Sequence, residues 1–293
     1  MVTWPTLIQT LAFGLFVGSL YGVAAVGLAL VFGVMNILNV AHGELLVVAG
    51  YISFYLFHYA GLDPFLSVII SMPMLFVLGI ILDRLIYRHI HRLRGENKVK
   101  NSLLVSFGLV LILQALFVQL FTADERSIQT AYAGLGFNVA GVALPYTRLV
   151  SLALALAAIT GLHLFLQRTF VGKAIRAASE DAEAAELAGI HVQRYYMGTL
   201  ALSAALGGLA GTLVIIGYGI TPTIGLTWLL RSLIVVVLAG AGSIFGVFSA
   251  GILLGVVEAA SGLFFGSALR EIVGLIMFLV VLIVRPQGLF TRR

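Results

Sequence analysis

Along the chain, long apolar runs alternate with short polar breaks, and the runs are of membrane-crossing length. Residues 7–35 are apolar and glycine-rich, residues 65–87, 102–121, 149–167 and 196–218 form further runs, and the last third is densely apolar with glycine breaks. An apolar helix of about 20 residues spans the roughly 30 Å hydrocarbon core of a bilayer. The pattern predicts eight or nine crossings, the lower number if one glycine-broken segment is re-entrant. Pro73 is expected to kink its span. Gly61-Leu62-Asp63-Pro64 reads as a turn, and residues 122–147 as a longer polar connection.

Composition agrees. Of 293 residues, 61% are hydrophobic and 10% charged, and the mean hydropathy is +1.11; a soluble domain is about a quarter charged. The chain is therefore expected to be an all-α integral membrane protein, a single transmembrane domain over residues 1–293. It has no cysteine, which excludes disulfides and thiolate chemistry. The first apolar run is too long for a signal-peptide core and follows no basic residue, so it is read as a retained span.

The net charge of +5 has a topological explanation. Residues 84–100, 168–194 and 285–293 hold six, four and three Lys or Arg, thirteen of the seventeen. The positive-inside rule makes these segments cytoplasmic. Parity then puts the N-terminus outside and the C-terminus inside. Membrane lipid is the expected surrounding, and no nucleic-acid partner is needed to explain the charge. His89 and His91 fall in the first basic segment and read as part of a solvated or lipid-facing strip.

Polar residues inside apolar runs are candidate pathway residues, because a charge at the bilayer centre costs roughly 2.5–3.5 kcal/mol and usually faces a cavity or the bundle interior. Asn36, Asn39, His42 and Glu44 form such a group, and Glu258 stands alone. Spacing puts Asn39 and His42 on one helix face if the segment is helical. The group reads either as a helix break lining a path or as a short loop with a helix cap. Glu258 reads either as a path residue or as a snorkelling partner of Arg270.

Glycines four apart mark close helix packing or simple thinning: Gly14, Gly18 and Gly22, then Gly242 with Gly246 and Gly251 with Gly255. The stretch FGVMNILNVAHGELLVVAGYISF is similar in pattern to VVLAGAGSIFGVFSAGILLGVVEA, a possible inverted repeat.

The most polar stretch of its length is GKAIRAASEDAEAAELAGI, residues 172–190, with Glu180, Asp181, Glu183 and Glu186. Ile175, Ala178, Ala182, Ala185 and Gly189 line one side of a helix, and no acid falls on that stripe. Ser179 ahead of Glu180 and Asp181 suits a helix start. The stretch is either a solvated connector or a docking helix whose small-residue face admits a soluble partner. No Gly-x-x-x-x-Gly-Lys-Ser/Thr loop, His-Glu-x-x-His motif or Gly-x-Ser-x-Gly elbow is present. No catalytic group and no metal or cofactor in this chain is expected. A passive channel and an intramembrane enzyme built on His42 and Glu44 stay as alternatives.

Three stretches, GLALVFGVMNILNVAHGELLVVAGYISF, GKAIRAASEDAEAAELAGI, and VVLAGAGSIFGVFSAGILLGVVEA with the closing RPQGLF, together resemble the permeases of branched-chain amino acid ABC importers. NVAHGE is similar to the LivH-type pattern, with Val40 where Phe is common. The resemblance implies a bacterial inner-membrane permease. It also implies a LivM-like second permease, two cytoplasmic ATPase subunits that bind ATP and Mg, and a periplasmic solute-binding protein. It implies that the loop within residues 168–194 is the coupling element, with Glu183, Ala184, Ala185 and Gly189 matching its pattern and Ser179, Glu180 and Asp181 just ahead. Related permeases serve urea, amides and small acids, so the solute stays open.

Overall fold

The computed structural model describes residues 4–91, 93, 95–139, 141–240, 243–266 and 269–290. Arg92, Arg94, Gly242, Arg292 and Arg293, used above, lie outside the described residues.

Eleven helices and one hairpin are formed among the described residues. The helices are α1 (Trp4–Met35), α2 (His42–Ala60), α3 (Pro64–Ile90), α4 (Glu96–Phe121), α5 (Tyr146–Arg168), α6 (Phe170–Glu180), α7 (Ala182–Leu187), α8 (Val192–Gly217), α9 (Ile224–Ala239), α10 (Ile244–Phe265) and α11 (Arg270–Val284). Six of them, α1, α3, α4, α5, α8 and α10, are long and apolar enough to cross a membrane, and α9 is a shorter apolar helix. The 32 residues of α1 make it about 48 Å long, well beyond the hydrocarbon thickness. α3 runs through Pro73 without ending and contains one π turn, Asp83–Tyr87.

The residues fall into two units by contact. The first comprises Met1–Val26, Gln129–Ile159 and Leu230–Arg293; the second comprises Gly27–Ile128 and Thr160–Leu229.

In the second unit α8 is the core element, packed against α2 and α3. Small residues permit the approach: a Cβ on Gly79 of α3 would lie 2.7 Å from the Ala201 Cα of α8, and one on Gly211 would collide with the Leu46 carbonyl of α2. Buried hydroxyls tie the three helices together. Ser53 and Thr212 are 2.8 Å apart, Ser67 donates to Ser53 at 2.8 Å, and Ser71 and Thr212 are 2.8 Å apart. In an apolar interior each hydroxyl needs such a partner. α4 turns most of its apolar surface outward: Leu104, Ile112 and Leu120 are all exposed, as suits a lipid-facing helix.

In the first unit α1 and α10 meet along glycines. Added Cβ atoms on Gly14 and Gly18 would sit 2.7 Å from Val256 Cα and 2.6 Å from Ile252 Cα, and Gly255 and Gly251 abut Gly18 and Gly22 in return. Gly246 does not join this seam; it lies against the Phe290 ring and its N–H is capped by Ser243 Oγ at 3.1 Å. The chain's end folds back on α9: Leu289 N–H donates to the Leu238 carbonyl at 2.8 Å and Phe290 N–H to the Ala239 carbonyl at 3.1 Å.

The connection after α4 is not wholly irregular. β1 (Gly136–Val139) pairs antiparallel with β2 (Val142–Pro145), with Gly136 opposite Pro145. Gly141, at φ +82°, supplies the left-handed turn residue. Gln9 of α1 bonds both ways to Ala143, at 2.8 and 2.7 Å, and holds the hairpin to that helix. The architecture is thus mostly helical with one small hairpin.

Candidate functional site

The break between α1 and α2 is real and short. Asn36 stops α1 by taking φ +51°, a left-handed conformation that asparagine tolerates better than most residues, while its N–H still donates to Phe32 at 2.9 Å. Residues 36–41 are non-helical, and α2 starts at His42. Asn39 therefore precedes the helix, and the expected common face with His42 does not form. Hydroxyls of α4 satisfy the freed backbone: Leu38 N–H donates to Ser102 Oγ at 3.2 Å and Val40 N–H to Ser106 Oγ at 3.1 Å. Non-helical backbone at membrane depth needs such internal partners.

The polar side chains then diverge to different helices. Tyr87, on the π turn of α3, donates to Asn39 Oδ1 at 2.7 Å, and the Asn39 amide nitrogen is buried with no bond. His42 Nδ1 lies 3.4 Å from Ser203 Oγ of α8, whose hydroxyl donates to the Gly27 carbonyl at 2.7 Å. Glu44 Oε1 accepts from Gln114 of α4 at 2.9 Å, its other oxygen is buried without a bond, and its carboxylate rests on the backbone of Gly225. Asn39, His42 and Glu44 are each about 1% exposed, whereas Asn36 is exposed. The second unit thus holds four of the five candidate pathway residues, three of them buried. Glu258 belongs to the first unit, where Tyr21 donates to its Oε2 at 2.9 Å. Arg231 there pairs with Glu271 at 2.6 Å. His91 is not in a solvated strip: its ring nitrogen is 2.6 Å from Asp83 and both side chains are buried.

The polar loop is two helices, not one. Thr169 caps α6 by accepting Gly172 N–H at 3.0 Å. Asp181 leaves helical space at φ −152°, ψ 105°, and its Oδ1 accepts the N–H groups of Glu183 and Ala184 at 2.9 and 3.0 Å, so it starts α7. Ser179 is not a cap; it sits inside α6 and donates back to the Arg176 carbonyl at 2.7 Å. Gly189 ends the loop at φ +83° with open space around it.

The burial of this loop inverts the sequence expectation. Ile175, Ala178 and Ala185 are buried, and α6 and α7 pack on α8. Three of the five stripe residues are thus covered within the chain, while Ala182 is half-buried and Gly189 exposed. The outward face carries Glu180, Glu183, Ala184 and Glu186, and at its tip Leu187, 91% exposed. Leu187 went unnoticed in the sequence, although a leucine off the buried stripe between an acid and a glycine turn is a signal. Gln114 was also missed, although it and Gln119 are the two amides in the apolar run LVLILQALFVQLF and are legible there.

Apolar spans of membrane length, a helix break lined with buried polar groups and a polar helical loop define a multi-pass membrane permease. The chain belongs to the branched-chain amino acid ABC permease family, LivH-type: the family described as "Branched-chain amino acid transport system / permease component" matches residues 10–284. The chain is 32% identical to the high-affinity branched-chain amino acid transport system permease protein BraD of Pseudomonas aeruginosa, over 97% of this chain and 96% of that one. It is 28% identical to the LivH permease proteins of Salmonella typhimurium and Escherichia coli, again over 97% and 96%. No solved structure matches the chain.

Proposed function

We propose that this chain is the membrane subunit of an ATP-driven importer for branched-chain amino acids, a single permease domain that moves solute by alternating access. It binds no nucleotide itself. Two cytoplasmic ATPase subunits carry ATP and Mg, a LivM-like permease completes the pore, and a periplasmic binding protein delivers solute. The permease sits in a bacterial inner membrane with its N-terminus periplasmic and its C-terminus cytoplasmic, and crosses eight or nine times if shorter helices join the six long ones. An inverted relation between the α1–α2 and α9–α10 segments fits this scheme.

One observation carries the reading: α7 presents Leu187 at 91% exposure on a ridge of carboxylates. A single exposed leucine is ordinary on a protein surface, but set among Glu180, Glu183 and Glu186 it gives a partner one apolar anchor with a charged rim. The ATPase would grip Leu187, Glu183, Ala184 and Gly189, with Ser179, Glu180, Asp181 and Ala185 holding the shape. Because α6 and α7 pack on α8, a pull on the loop is passed to the core helix of the second unit. Asn39, His42 and Glu44 would line the path there, Asn36 its rim, and Glu258 would act in the other unit. A partner's ATP cycle shifts the permease only if its states bind the loop differently.

The test is ATP-driven uptake of leucine by the purified complex in liposomes, with the ATPase co-purifying. A chain that retains no ATPase and passes solute down its gradient would be a channel instead. Leucine excluded while urea or an amide is taken up would keep the importer and change the solute.

A further inference from the structure

A groove of about 490 Å³ lies between α2, α3 and α4, walled by Val48, Tyr51, Tyr55, Met74 and Phe117 among others. Its volume is within the roughly 300–1,000 Å³ of small-molecule sites. Its wall is nearly all apolar, and the aromatic part is ordered: the Tyr51 ring stacks on Phe121 at 4.2 Å and meets Phe117 at 5.9 Å.

Two polar atoms on the same stripe of α2 are unmatched. Tyr51 is 2% exposed, and its hydroxyl is buried without a hydrogen bond. Glu44 is 1% exposed, and one carboxylate oxygen has none. Residues 44, 48, 51, 55 and 59 follow helical spacing on one face. Gln114, which holds the other Glu44 oxygen, is likewise on the stripe of α4 that carries Phe117 and Phe121. Buried polar groups left unbonded are costly and call for an explanation. A lipid acyl chain would match the apolar wall but leave both polar atoms as they are.

We propose that this groove is a solute subsite for an aliphatic amino acid, its side chain on the aromatic wall, its ammonium on Glu44 and its carboxylate on the Tyr51 hydroxyl. The inference rests on the importer reading above and adds the place where solute is held. Glu44 is not part of the groove wall; it lies two turns before Tyr51, about 10 Å along α2, so the ammonium reaches it only when α4 moves away from α2 and extends the groove.

The full complex is reconstituted in liposomes, and leucine uptake and labelling by a diazirine analogue of leucine are measured together. Adducts are expected on the groove residues and to be removed by excess leucine. Glu44→Gln, Tyr51→Phe and the groove-filling Met74→Trp are each expected to lower ATP-driven uptake about tenfold, the effect of one lost contact of about 1.4 kcal/mol. Leu104→Trp, on the exposed face of α4, should stay within about twofold of wild type. Adducts elsewhere only, normal uptake in all three variants, or a groove labelled by a diazirine fatty acid that leucine does not displace would overturn the subsite while wild-type uptake stands. Absence of ATP-driven leucine uptake in the wild-type complex would overturn the importer reading itself, and the subsite with it.

Discussion

Tyr21 and Glu258 are 237 positions apart and joined by a 2.9 Å hydrogen bond between buried side chains of α1 and α10. The bond sits on the same helix pair as the glycine seam. Direct backbone contact leaves no room for long side chains there, so the polar pair lies at the edge of the seam. Tyr21→Phe removes the donor and leaves a buried carboxylate oxygen short of a partner, at a cost of about 1–3 kcal/mol. A lowered Tm of the detergent-solubilised chain is expected. An unchanged Tm would mean that another donor replaces the phenol.

The glycine seam makes a sharper claim about sterics. Gly18→Leu places a Cβ 2.6 Å from the Ile252 Cα, where only backbone could yield. Loss of monodisperse protein after extraction is expected. Gly108 on α4 has open space around it, so Gly108→Ala should be neutral or stabilise by about 0.5–1 kcal/mol through helix propensity. Size-exclusion profiles of the two variants, run side by side, decide whether close approach or mere thinning explains these glycines.

Leu187 and Asp181 separate docking from loop shape. Leu187→Asp alters only an exposed tip, so extraction yield and Tm should hold while ATPase co-purification is lost. Asp181→Ala removes the cap of α7 and should cost about 1 kcal/mol, with weaker ATPase retention and some recovery in Asp181→Asn. Normal retention in Leu187→Asp would move the docking surface elsewhere.

Gly189 calls for a revised argument. The sequence suggests that added volume is the obstacle, but the space around it is open and the constraint is φ +83°. Gly189→Ala should therefore disturb the loop by about 1 kcal/mol, and Gly189→Asn by less. Coupled uptake in liposomes should rank glycine above asparagine above alanine; a ranking by side-chain size would restore the steric account.

At the helix break, Asn39→Leu should remove the Oδ1 acceptor of the Tyr87 hydroxyl and His42→Leu should remove the ring beside Ser203. Both are expected to reduce uptake at least about tenfold if the cluster lines the path. Wild-type rates in both would make the cluster purely structural.

Hydropathy made the helical membrane character and the break near Asn36 legible, because length and polarity are local properties. The stripe of Ile175, Ala178 and Ala185 was also visible in the sequence, but not which way it faced. Periodicity identifies a face without saying whether the chain itself or a partner covers it. The split at Asp181 was hidden because aspartate suits both a helix interior near acids and a cap, and only its backbone angles choose. The partners of Asn39, His42 and Glu44 lie 48, 161 and 70 positions away, beyond any local pattern. The hairpin at residues 136–145 was lost inside a region read as a connection, since four-residue strands carry too little alternation to stand out.

Leu289 and Phe290 supply the N–H groups for two carbonyls at the end of α9. That helix ends some fifty residues before its partners, so during synthesis its last turn waits for the tail to emerge. Until then a pair of bare carbonyls must borrow water or remain unwound. A chain stopped after Val284 would never meet that need, and the last turn of α9 would be the first place to fray.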